Sequence, residues 1–166
     1  SGFSNNSGTF NTFIGYNSGR SNTMGDRNLF MGYQSGYANT DGMDNLFMGS
    51  GAGKSNTGGD YNIFLGNNSG FTNSTGNFNT FIGYNAGYNN TTANYNVGIG
   101  FYAGYNNQTG YDNIFLGNWS GYYNSTGKNN IIMGYLAGVY NNASYNIFIG
   151  DQSGYNNTNG GFTGNQ

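Results

Sequence analysis

The stretch NTFIGYNAGYNNTTANY, residues 79–95, is one complete unit of a repeat that fills the chain. Its opening asparagine recurs as Asn11, Asn28, Asn45, Asn62, Asn79, Asn96, Asn113 and Asn130, always 17 residues apart. Asn146 continues the series one residue early. Counting that asparagine as position 1, glycine fills position 5 (Gly15 to Gly150) and position 9 (Gly19 to Gly154) of every unit. A third glycine column falls at position 15, with Ala93 and Ser144 as its exceptions. A second asparagine column, at position 12, holds Asn22, Asn39, Asn56, Asn73, Asn90, Asn107, Asn124, Asn141 and Asn157, preceded by Asn5. The unit reads N-x-F-[ILM]-G-Y-x-[SA]-G-Y-x-N-x-T-G-x-[YF]. Residues 1–166 form a single repetitive domain, with a partial coil at 1–10, coils starting at 11, 28, 45, 62, 79, 96, 113, 130 and 146, and a partial coil at 163–166.

Seventeen residues are too few for a helix pair and its turns, since helical repeats run to about 33 residues or more. Glycine every few residues would also cost a helix about 1 kcal/mol each. A coil of short strands and turns fits instead. The run N-x-F-I-G supplies β-branched and aromatic residues for one strand, and a second, more polar strand is expected over the Y-x-N stretch. The three glycine columns are expected at turns, where a positive φ costs glycine little. The expected fold is therefore all-β: a parallel β-solenoid (β-roll or β-helix) of about nine to ten coils. Stacking sets each side chain about 4.8 Å from its copy, so both asparagine columns become ladders in which each amide donates and accepts.

Composition narrows the function. The chain has 32 Gly, 34 Asn, 16 Tyr and 13 Phe, is 18% aromatic and only 6% charged. Disordered chains are poor in aromatics, so there is material here for a core. A net charge of −2 with four basic residues offers no basic patch for nucleic acid. No apolar run reaches the 18 residues of a membrane span. With no His, Cys or Glu, nucleophilic dyads and His-based acid–base work are unavailable. A non-enzymatic protein without cofactor or metal is expected, and Asp26, Asp41, Asp44 and Asp60 read as solvated turn charges.

The strand pattern singles out a contact face. Side chains alternate along a strand, and here both faces are apolar. Position 4 is always aliphatic and is expected to fill the coil. Position 3 carries Phe13, Phe30, Phe47, Phe64, Phe81, Phe115 and Phe148. A strand apolar on both faces is usually covered on both, so these phenylalanines are expected to form an assembly face covered by another copy. Position 10 offers Tyr37, Tyr88, Tyr105, Tyr122 and Tyr155 as a candidate surface for stacking on glycans. Sequons mark Asn5, Asn67, Asn73, Asn89, Asn90, Asn107, Asn118, Asn124, Asn142 and Asn156 as candidate N-glycosylation sites. A threonine column at position 13 (Thr23, Thr40, Thr57, Thr91, Thr158) raises ice binding as an alternative function.

The phrases NTFIG, NIFLG and NLFMG resemble the YadA-like head repeats of trimeric autotransporter adhesins at the Asn, the aliphatic residue and the Gly. The longer NTFIGYNAG is similar to Asn/Gly-rich repeats of bacterial surface fibres. The resemblance covers essentially the whole chain. It implies an extracellular or cell-surface β-solenoid, oligomeric with copies of itself, that serves as an adhesive or structural rod. Because the chain starts and stops inside a unit, its two partial coils are expected to complete one coil between successive molecules, giving head-to-tail fibres.

Overall fold

The computed structural model describes residues 1–158. Nine three-residue strands occupy positions 2–4 of successive units: β1 (Thr12–Ile14), β2 (Leu29–Met31), β3 (Leu46–Met48), β4 (Ile63–Leu65), β5 (Thr80–Ile82), β6 (Val97–Ile99), β7 (Ile114–Leu116), β8 (Ile131–Met133) and β9 (Ile147–Ile149). They pair in parallel in the order of the chain to form one sheet. The register is position on position, as in Phe30↔Phe47 and Phe47↔Phe64. The chain is therefore a β-solenoid, and no helix occurs among the described residues. The partial coil at 163–166 lies outside the described residues.

Each coil has one strand, not the two expected. The Y-x-N stretch is a run of turns. Its backbone nevertheless bonds from coil to coil, as in Gly19 N to Ser35 O (2.9 Å) and Ser21 N to Tyr37 O (3.1 Å). Two non-glycine columns adopt left-handed backbone. Position 17 does so just before the strand (Tyr61, φ 55°; Phe78, φ 56°), and position 7 just after it (Asn68, φ 53°; Asn85, φ 54°). Such residues cost about 1–2 kcal/mol each. The repeat incurs that cost at two corners of nearly every coil, and the ladders described below offset it.

The two faces of the strand are reversed relative to the expectation from sequence. Phe30, Phe47, Phe64, Phe81 and Phe115 are fully buried inside the coil, and Phe148 nearly so. Phe13, in the first coil, packs against the same core. These rings stack with centroids 4.7–4.8 Å apart through Phe30, Phe47 and Phe64. Position 4, expected inside, points out: Ile14, Met48, Ile99 and Ile149 are exposed. The reason lies across the coil, where positions 8 and 9 are small. Ser18, Ser35, Ala52, Ser69 and Ala86 are buried there, and the next glycine lies flat against the ring. A Cβ on Gly70 would fall 2.5 Å from Phe64 Cε2. Only one residue of the strand can point into so thin a coil, and the small residues opposite leave room for the largest.

The phenylalanine stack is interrupted once. Gly98 takes the position of a ring, dividing the core into one cluster from Phe13 to Phe81 and another around Phe115, Ile132 and Phe148. The Phe81 ring leans into the gap, so a Cβ on Gly98 would lie 2.8 Å from Phe81 Cδ1.

Position 5 is a glycine for two independent reasons. At Gly66 the φ of +133° disfavours any side chain, and a Cβ would fall 2.5 Å from the carbonyl oxygen of Gly83 in the next coil. Gly66→Ala is expected to destabilise the rod by at least about 2 kcal/mol. Gly58 lies in no left-handed region and a Cβ there meets only the carboxylate tip of Asp41, at 3.0 Å. Gly58→Ala is expected to change stability by less than about 1 kcal/mol. Chemical denaturation of the two variants measures both, and equal effects would contradict this account of the coil.

Candidate functional site

The interior is built on amides. In the position-12 ladder, the Nδ2 of Asn39 donates to Asn22 Oδ1 in the preceding coil (2.7 Å) and to Gly42 O in its own (2.9 Å). In the position-1 ladder, the backbone N of Asn45 donates to Asn28 Oδ1 (3.0 Å), while Asn28 Nδ2 reaches across the coil to the same Gly42 O (2.8 Å). The carbonyl at position 15 thus receives two side-chain amides. Gly59 O repeats the arrangement with Asn45 and Asn56, and Gly76 O with Asn62 and Asn73. Both asparagine columns form ladders as expected.

This geometry corrects the reading of the third glycine column. Position 15 is not in a positive-φ region; the residue is small because a Cβ on Gly25 would sit 2.5 Å from Asn22 Oδ1 and 2.8 Å from Asn39 Nδ2. Where Ala93 replaces glycine, the neighbouring ladder bond from Asn107 Nδ2 to Asn90 Oδ1 stretches to 3.4 Å. The other exception is Ala143, not Ser144, because Asn130 Nδ2 donates to Ala143 O (2.9 Å). The residue lost from that unit is therefore at position 14. Across the shortened turn Asn141 Nδ2 keeps its bond to the position-15 carbonyl, Ala143 O (3.1 Å), but makes no ladder bond to the preceding coil, which leaves the buried Asn124 Oδ1 without a partner.

The outer surface is strongly asymmetric. All but five of the large apolar and aromatic side chains that stand exposed belong to positions 17, 2, 4 and 6; the five are Phe3, Met24, Tyr111, Tyr123 and Tyr140. Positions 2 and 4 form two parallel aliphatic columns along the outer face of the sheet. Aromatic columns flank them: Tyr61, Phe78 and Tyr95 on one side, Tyr16, Tyr33, Tyr84 and Phe101 on the other. The flanking rings stack on their own copies, with Tyr61–Phe78 at 4.9 Å and Phe78–Tyr95 at 5.1 Å. Sequence reasoning missed this face because it assigned position 4 to the core. The threonines at positions 2 of β1 and β5 are the signal that could have placed that side in contact with water.

The position-10 tyrosines do not offer their faces to a glycan along most of the rod. Tyr88 stacks on Phe71 (4.9 Å) and on Tyr105 (5.2 Å), and Tyr105 on Tyr122 (4.9 Å). At that spacing no sugar ring enters between them. Tyr37 has the Arg20 guanidinium over its ring at 5.7 Å, and Tyr155 meets Tyr140 edge-on at 5.4 Å. Burial pushes the phenol pKa of Tyr105 and Tyr122 upward.

The structure also divides the sequons. Asn73, Asn90, Asn107 and Asn124 are fully buried rungs, so their Nδ2 is unavailable for a glycan. Asn5, Asn67, Asn118, Asn142 and Asn156 are exposed, and Asn89 is half-buried with its Nδ2 donating to Asn106 Oδ1 (2.7 Å). The Thr column spends its hydroxyls on the following coil: Thr23, Thr40, Thr57 and Thr91 each donate to a carbonyl at 2.9–3.0 Å. The carboxylates are engaged singly. Asp26 accepts from Thr9 N (2.6 Å), Asp60 from Met43 N (2.8 Å), and Asp44 pairs with Arg27 (2.6 Å). Among the described residues, no group of three or more metal-ligating side chains gathers, and no helix is long and apolar enough to cross a membrane.

The fold and surface define the class of the molecule as a single-stranded-per-coil parallel β-solenoid. No family model matches the chain, and comparison with curated proteins and with solved structures returns no match.

The side-chain charges give a definite pH profile. Hydrogen bonds from Thr9 and from Arg27 hold Asp26 and Asp44 below the usual carboxylate value. Their contribution is present above that value and lost as pH falls through the lowered ones; it is small, because both are exposed. Tyr105 and Tyr122 are raised, so their contribution is complete below about pH 10 and lost as pH rises through the raised values. With no histidine, the melting temperature is expected to be flat from about pH 5 to 9 and to fall more on the alkaline side than the acid one. A thermal-melting series across pH checks this; a step near neutrality would contradict it.

Proposed function

We propose that this protein is an extracellular structural or adhesive rod whose copies join through the outer face of the sheet. The observation that carries the reading is the outer face of the sheet, aliphatic at position 4 of every strand and at position 2 of all but β1 and β5, between two columns that are aromatic in part. Nine strands at about 4.8 Å make it nearly 40 Å long and roughly 15 Å wide. That is about 600 Å², the upper end of what a monomer exposes in its largest apolar patch. Two such faces in contact would bury about 1,200 Å², the lower bound of a stable interface. A second copy is the natural cover because it repeats every 4.8 Å as this face does, so ridges and grooves can match along the full length.

The near-absence of charge supports the same reading. The two strand columns of this face, positions 2 and 4, carry no charged residue; the charges nearby lie in the flanking columns, as the Arg27–Asp44 pair, Asp112 and Asp151. The likeness of the NTFIG phrase to adhesin-head and surface-fibre repeats agrees with a location outside the cell.

Sedimentation and electron microscopy of the purified chain over a range of concentrations test this. Paired or bundled rods are expected, growing with concentration. Met48→Glu with Ile99→Glu, both on the exposed face, is expected to return single rods, with a circular dichroism spectrum unchanged and stability altered by less than about 1 kcal/mol. Phe64→Ala is expected to unfold the rod, at a cost of about 3–5 kcal/mol. Wild-type rods that stay single at all concentrations would overturn the lateral interface.

A further inference from the structure

The aromatic ladders on the turn side of the rod stop together at one place. At position 10, Phe71, Tyr88, Tyr105 and Tyr122 stack in series, and the next unit has Val139. At position 7, Tyr102 and Trp119 stack at 4.7 Å, and the next unit has Leu136. One coil therefore lacks both rings. The coil beyond it restores a ring at Tyr155, held edge-on against Tyr140 at 5.4 Å. The result is a cleft of about 340 Å³ between Trp119 and Tyr122 on one side and Tyr155 on the other.

We infer that this cleft binds a neutral sugar ring. Its height along the rod is two coil rises, about 9.6 Å, where the ladder elsewhere leaves one rise between successive rings. Tyr122 has one face covered by Tyr105 at 4.9 Å, and the next unit has Val139 in place of the ring that would continue the stack. The lining combines aromatic faces with phenol hydroxyls from Tyr122, Tyr123, Tyr140 and Tyr155. Ring faces take the C–H side of a pyranose and phenols take its hydroxyls. No lining residue is charged, so nothing in the cleft selects for an acidic or cationic ligand. A planar aromatic would stack equally well but would offer the phenols fewer hydrogen-bonding groups than a pyranose does.

The inference does not depend on lateral assembly; of the cleft's residues only Tyr135 also belongs to the sheet-side face. Trp119 is the one tryptophan of the chain, so its fluorescence reports on this site alone. The test is titration of the full chain with cellopentaose, chitotetraose and galactotetraose, with an oligogalacturonate as the charged comparison. A saturable change in Trp119 emission with at least one neutral oligosaccharide, and a weaker response to the oligogalacturonate, is expected. Val139→Tyr restores the missing ring in a column that already accepts tyrosine, so it is expected to keep the fold and weaken binding by at least about tenfold. Unchanged binding in Val139→Tyr, or no saturable response to any neutral oligosaccharide, overturns the inference. A response of equal strength to indole-3-acetamide and to the sugars would also overturn it, by assigning the cleft to aromatic groups in general. Repeating the titration in the Met48→Glu, Ile99→Glu background separates the two readings, because loss of assembly there leaves the cleft intact.

Discussion

Two asparagine amides meeting at the position-15 carbonyl, of glycine or in two coils alanine, set the geometry of the coils from residue 11 to residue 145. A solenoid this thin has no room for a conventional core, and most of its backbone lies in turns that leave carbonyls pointing inward. An inward carbonyl without a donor costs about 1–3 kcal/mol, and the rod has one at position 15 of nearly every unit. The position-1 amide reaches it from across the coil and the position-12 amide from three residues back, as at Gly42 O. Their oxygens then accept from the next coil's ladder, so each rung orients its neighbour. A glutamine would be too long, an aspartate would put a charge in the interior and lose the donor, and a serine would be too short to cross.

That constraint spreads outward through the unit. Glycine at position 15 follows because the amides occupy the space a Cβ would take. The left-handed corners at positions 7 and 17 follow because the chain must turn sharply on either side of a three-residue strand. Repetition itself follows, since a ladder works only when its neighbour has the same residue at the same height. The two departures show this directly: Ala93 lengthens one rung, and the missing position 14 leaves Asn124 Oδ1 without a donor. Stability is thereby spread along the rod; the chain has no cysteine for a disulfide, and the described residues hold one ion pair.

The period, the parallel β-solenoid and both ladders were legible in the sequence because each is a one-dimensional property. A column of asparagines at fixed spacing needs no knowledge of which way a side chain points. The facing of the strand was not legible. Alternation says that positions 2 and 4 oppose position 3, but with both sets apolar it is silent on which is inside. What decides is the volume across the coil, where Ser or Ala at position 8 and Gly at position 9 leave a slot the width of a ring. The same information was present in the sequence as a pairing of large against small, visible only once the coil is closed. The second strand failed for a related reason: the Tyr and Asn there suit extended backbone, but the asparagine must turn inward to reach its carbonyl.

The relocation of phenylalanine to the interior changes where interactions with other molecules should be sought. A regular ladder satisfies itself: its rings cover one another, its amides pair, its hydroxyls bind the next carbonyl. The buried sequons and the position-10 tyrosines stacked on both faces, Tyr88 and Tyr105, have nothing left to offer. What remains available is of two kinds. One is the outer face of the sheet, which the repeat leaves uncovered in every coil and which therefore grows with the length of the rod. The other is the place where the repeat lapses, as at Leu136 and Val139, and a ring's worth of space opens against Trp119 and Tyr122. The first kind suits a partner as periodic as the rod itself, and the second suits a single small ligand. In a molecule built from copies, the consensus repeats one surface along the whole rod, and only its exceptions make a place unlike the rest.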